Sequence, residues 1–166
     1  MNFEPSDYFR ASLERIKQSR DYYRRDSKEN LSTNHHPLAF YACGLSVECM
    51  LRAFITLNTK EFDGRHDLDL LLNQSGLLNL NPLPSLGDAE LIRLKIEIGG
   101  AVGKVNRLWS NNLRYASEAR LRSYLHESGL DRGIKGDALK ENLRQLLEAS
   151  SRIIDRGAEL WNALRN

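Results

Sequence analysis

The sequence predicts an all-α protein, an up-and-down bundle of four to five helices forming one domain over residues 1–166. Three observations predict it. Four long segments carry apolar residues at the spacing of a single helical face. Polar stretches containing proline or glycine separate those segments. The one stretch that could also be read as strands has no partner strand elsewhere in the chain. A chain of 166 residues is also long enough to bury a core without disulfides or metal.

The first helix is expected over about residues 6–29. Phe9, Leu13, Ile16 and Tyr23 recur at helical spacing, while Arg10, Glu14, Lys17, Arg24 and Arg25 fill the opposite face. "SKENLSTNHHP" ends it, with Pro37 closing the break. The second helix, about 38–58, is apolar nearly all round, as a central bundle helix should be. One stripe differs: Gly44, Glu48, Arg52 and Thr56 follow one another at i, i+4 and line a single seam.

"FDGRHDLDLLL" then offers a turn at Gly64 and a short helix from His66 to Leu72. The stretch "GLLNLNPLPSLGD" reads as loop, with Ser85 and Asp88 marking a capped helix start. Residues 86–110 admit two readings. Leu91, Leu94, Ile98, Val102, Val105 and Trp109 form a helical stripe, whereas "LKIEIGGAVGKV" also alternates like a strand pair. Helix is preferred because no partner strand exists elsewhere, and Gly99-Gly100 would then mark a kink or a close helix crossing. A short helix over 118–126 buries Leu121 and Leu125. A last helix over 137–164 carries Leu143, Leu147, Ile154, Trp161 and Leu164.

Hydrophobic residues at 41% and charged residues at 28% make an ordinary soluble balance, and a net charge of +2 does not by itself imply nucleic acid. Cys43 and Cys49, six positions apart on one helix, point about 120° apart and cannot bridge each other. They read as small apolar thiols in a reduced compartment. "MNFEPSDYFR" lacks the basic and apolar runs of a signal peptide, and Glu48 and Arg52 interrupt the longest apolar stretch. A cytoplasmic protein with no membrane association is expected.

Three separated signals bear on function. Gly44, Glu48, Leu51, Arg52 and Ala53 form G-x-x-x-E-x-x-L-R-A on the central helix. His66-Asp67-Leu68 opens the next helix. Arg114-Tyr115 follows Trp109 after a long helix has ended. In this order the chain resembles the HEPN family ("higher eukaryotes and prokaryotes nucleotide-binding") over about residues 6 to 164. The resemblance implies an HEPN-like bundle, pairing as a homodimer, in a microbial defence or toxin–antitoxin system. It also implies roles from metal-independent RNA cleavage to binding of a nucleotide or partner protein. Glu48, Arg52, His66 and Arg114 would then form one polar network across the core. The alternative leaves the Glu48–Arg52 pair half solvated at the bundle edge.

HEPN proteins that cut RNA resemble one another in an R-x4–6-H motif, in which arginine polarises the phosphate and histidine moves a proton. The match here is Arg120 to His126, with Arg114, Arg122, Tyr124, Arg132 and Lys135 as a surrounding phosphate- or RNA-binding surface. The other reading of these residues is surface charge on a connecting helix, since positions six apart face about 120° away from each other.

No phosphate-binding, dinucleotide, serine-hydrolase or zinc-protease signature occurs. His35-His36 lack a third ligand at sensible spacing, so neither a metal nor a cofactor is expected. Arg20, Arg24, Arg25 and Lys28 alternate with Asp21, Asp26 and Glu29 and read as a solvated face.

Overall fold

The computed structural model describes residues 3–28, 35–59, 64–80 and 86–165. The break at 29–34 and the Ser85 cap fall outside them. All regular structure among the described residues is helical, in six helices: α1 (Pro5–Lys28), α2 (His36–Thr59), α3 (Leu68–Ser75), α4 (Asp88–Leu108), α5 (Glu118–Glu127) and α6 (Ala138–Arg165). Two 3₁₀ turns, Leu77–Asn79 and Asn111–Tyr115, join them. Within the segment 86–110, Asp88–Leu108 is helix, its glycines sit within a continuous α4, and Trp109 follows as an extended cap rather than as part of the helical stripe.

The central position of α2 follows from its composition. Phe40, Cys43, Val47, Met50, Leu51 and Phe54 are each wholly inaccessible and spread around the helix. α1 and α6 pack against it, α3 and the 111–115 turn cover another side, and α4 closes on α6. By length and composition, α2 is the described helix apolar enough to cross a membrane. Yet 78% of its most apolar window is buried, as befits a core helix.

Close approach to α2 depends on two glycines. A Cβ at Gly157 would lie 2.8 Å from Met50 Sδ, so a side chain there would require Met50 to move. A Cβ at Gly44 would lie 2.1 Å from the Trp109 indole. Trp161 seals the other end of the core, stacked on Phe9 at 4.7 Å and edge-on to Phe54 at 5.6 Å.

The short helices are fixed by their ends. Asp67 caps α3, its carboxylate accepting from the Asp69 and Leu70 amides at 3.0 Å. Ser117 caps α5 through the Arg120 amide at 3.2 Å. After α5 the chain reverses at Gly129, whose φ of 67° lies in the left-handed region that glycine enters without strain. Asp137 then starts α6, accepting from the amides of Leu139 at 3.0 Å and Lys140 at 3.4 Å.

Candidate functional site

The stripe Gly44, Glu48, Arg52 is the floor of a buried polar cluster. Because i, i+4 side chains project from the same side of a helix, Trp109 lies on Gly44 and the segment before α3 lies on the next two turns. Glu48 and Arg52 are only 4% and 5% exposed, which places the pair inside the bundle rather than at its edge. Arg52 Nε donates to Glu48 Oε1 at 2.8 Å, and Arg52 Nη2 donates to the backbone carbonyl of Arg65 at 2.6 Å. The second carboxylate oxygen, Oε2, lies 2.8 Å from His66 Nδ1. A carboxylate can only accept, so the imidazole is the donor in this contact.

The chemistry of the cluster is that of a clamp. Glu48 has both oxygens engaged, by a guanidinium on its own helix and by an imidazole arriving from the 64–67 segment. Arg52 in turn holds the carbonyl of the residue just before His66. The two bonds fix the entry to α3, where Asp67 takes over as cap and Leu68, Leu71 and Leu72 turn into the core. The His66 side chain itself is 42% exposed, so one edge of the imidazole reaches solvent while the other is anchored.

Side chains around the clamp are not poised for nucleophilic attack. Burial pushes the Cys43 thiol up to about 12, although hydrogen bonding to Ser19 pulls the other way. Burial, reinforced by the nearby Glu48 charge, pushes Cys49 up to about 11. Both cysteines are free thiols, and at neutral pH neither supplies appreciable thiolate. Burial also raises the Tyr8 phenol, with the Arg52 guanidinium opposing the shift.

Arg114 does not join Glu48, Arg52 and His66. In the tight turn Asn111–Tyr115, Leu113 points inward and the adjacent Arg114 points out. The Arg114 guanidinium lies 4.5 Å from the centroid of the Tyr115 ring, itself 78% exposed. The expected four-residue network is thus three residues plus the Arg65 carbonyl, with Arg114 stacked on the surface.

Arg120 and His126 lie on α5 and do not converge. Arg120 Nη1 meets Glu127 Oε1 at 3.1 Å, and His126 Nδ1 meets Asp131 Oδ2 at 2.7 Å. Asp131 reaches back because the left-handed Gly129 folds the chain against the end of α5. The His126 contact holds the Asp131 carboxyl below the usual range. The His126 side chain is 82% exposed.

The surrounding cations are also dispersed. Arg122 is held by Glu118 at 2.7 Å and by Asp137 at 3.0 Å. Tyr124 is half-buried against the core, and burial raises its phenol. The Arg132 side chain passes over Gly129, and Lys135 is exposed. Both described grooves lie along α4 and α6, lined by residues such as Glu97, Lys104, Arg144, Glu148 and Arg152, and neither includes a residue of α5.

In comparison with known proteins, no family model, curated protein or solved structure matches the chain. Several partners in these constellations escaped the sequence reading: Arg65, Asp131, Glu127, Glu118, Asp137 and Trp109 as the lid over Gly44. Only Trp109 left a signal, a large indole following a helix in a chain whose central helix has one glycine on an otherwise bulky stripe.

Proposed function

We propose that this chain is a non-catalytic, cytoplasmic HEPN-like module that binds a partner protein in a microbial defence or toxin–antitoxin system. The observation that carries the reading is the divergence of Arg120 and His126. A phosphodiester requires both groups on one phosphate within hydrogen-bond reach, whereas each here leans on a separate acid of its own segment. The Glu48 clamp supports the same conclusion, because its contacts among the described residues go to the segment that enters α3.

A second reading, a metal-independent endoribonuclease acting as a dimer, is favoured by the His126–Asp131 contact. A carboxylate on Nδ1 would leave Nε2 free to accept a proton from an RNA 2′-hydroxyl. Labelled RNA incubated with the purified protein in excess chelator separates the two. The interaction-module reading predicts no cleavage at high protein concentration. Cleavage that His126→Ala abolishes would overturn it in favour of the nuclease.

A further inference from the structure

α4 presents to solvent a face that its own chain does not use, and that face borders a groove. Taking about 100° per residue, Ile92, Gly100, Gly103 and Arg107 all lie within roughly 40° of Ile96 on the helical wheel. Ile92 and Ile96 are 57% and 70% exposed, unlike the inward Leu91, Leu94, Ile98 and Val102 of the same helix. Beside them a groove of about 480 Å³ runs between α4 and α6, with Gly100, Ala101 and Ala149 in its lining and the two alanines almost inaccessible. A Cβ added at Gly100 or Gly103 would meet nothing within 4 Å. Packing within the chain therefore requires neither glycine, although each lowers helix propensity. Together they leave a hollow next to two protruding isoleucines, the relief into which a helix sets large apolar side chains.

The charges along the groove define what such a helix must carry. A second groove continues the first, since Glu97, Glu148 and Arg152 line both. At that end Asp155 and Glu159 of α6 join Glu97, and Arg156, which pairs with Glu97 and Glu159, offsets them only in part. At the opposite end Lys104 stands with Arg144, and Arg107 follows one turn on. Lys104 and Arg107 are exposed and have no acidic partner among the described residues. The groove is thus acidic at one end and basic at the other. We infer that it takes an amphipathic helix of a partner protein, apolar on its inner stripe, acidic in the half beside Lys104 and Arg107, and basic in the half beside Glu97, Asp155 and Glu159. Its apolar side chains fill the hollow at Gly100 and Gly103 against Ile92 and Ile96, while the opposed charges fix its register. Ile92 to Arg107 spans about 22 Å, room for roughly four turns of such a helix. The inference rests on the reading of the chain as a partner-binding module and adds where the partner sits and what chemistry it presents.

The test uses the full chain and a fluorescent synthetic helical peptide of about five turns, with leucines along one stripe, glutamates flanking them in one half and lysines in the other. Anisotropy titrations should show saturable binding to the wild type, and a control peptide with lysines in both halves should bind more weakly. Ile96→Glu and Gly100→Leu should each weaken binding by roughly 30-fold or more while circular dichroism shows unchanged helix. Gly100→Leu raises helix propensity and clashes with nothing in its own chain, so its effect cannot be put down to misfolding. The Lys104→Glu/Arg107→Glu double variant should reverse the preference between the two peptides. No binding of the charge-matched peptide would overturn the inference, as would binding indifferent to Ile96→Glu and Gly100→Leu, or an unreversed preference. So would a wild-type dimer in light scattering that Ile96→Glu dissolves and the peptide does not, since a second copy would then hold the groove. The partner-binding reading is judged separately, by the RNA cleavage that His126→Ala would abolish.

Discussion

The seam on α2 and the outer face of α5 hold the same three kinds of group, a carboxylate, a guanidinium and an imidazole, in opposite surroundings. On α2, Glu48 and Arg52 are nearly inaccessible and also meet His66 and the Arg65 carbonyl. On α5, Arg120 and His126 stand in water and pair separately with Glu127 and Asp131. Similar distances therefore carry different energies. Leaving a buried charge alone is expensive because no water replaces the lost partner, whereas an exposed pair is readily substituted by solvent. Contact geometry alone would rank the two regions together; burial separates them.

The largest expected break in that comparison comes from Glu48→Ala. It takes the carboxylate away from the buried Arg52 guanidinium and releases His66, and should lower unfolding free energy by about 3–5 kcal/mol in a denaturant titration. A change near zero would place the seam in the same class as α5. Gly44→Ala should come next. The new methyl meets the Trp109 indole, which cannot yield without moving the 109–115 segment, so a loss of roughly 1–3 kcal/mol is expected from the same titration.

Asp137 lies between the extremes, since it both caps α6 and holds Arg122. Asp137→Ala should cost about 1 kcal/mol through the cap. Asp137→Asn keeps a capping oxygen and isolates the charge. The Arg122 guanidinium holds the Asp137 carboxyl below its ordinary value. Its stabilisation is therefore fully present above the unfolded pKa of about 3.9 and is lost as pH falls through the lower folded value. Melting curves of wild type and Asp137→Asn should differ at pH 7 and converge in strong acid; a gap that widens on acidification would contradict this. The smallest effect should be that of His126→Ala, whose melting temperature should match the wild type within error.

How much of this was legible in the sequence depends on how local each constraint is. The Gly44–Glu48–Arg52 stripe could be read directly, because i, i+4 spacing within one helix fixes a shared face whatever packs on it. His66 was legible as a helix-start residue, and its place beside Glu48 was implied by the family resemblance. Arg114 was not. A 3₁₀ turn changes the side-chain period, so inserting Leu113 into the core sends its neighbour outward. The His126–Asp131 contact was equally hidden, since it depends on the left-handed turn at Gly129. α4 was ambiguous because β-branched residues and adjacent glycines suit strands as well as helices.

The most direct test of the account is a double-mutant cycle on Glu48 and Arg52, using Glu48→Ala, Arg52→Ala and the pair, read as unfolding free energies. A buried, mutually dependent clamp predicts that the double variant loses much less than the two single losses combined, with a coupling of at least ~1.5 kcal/mol. Strict additivity would show that the two side chains act separately, and the seam would then be no clamp at all.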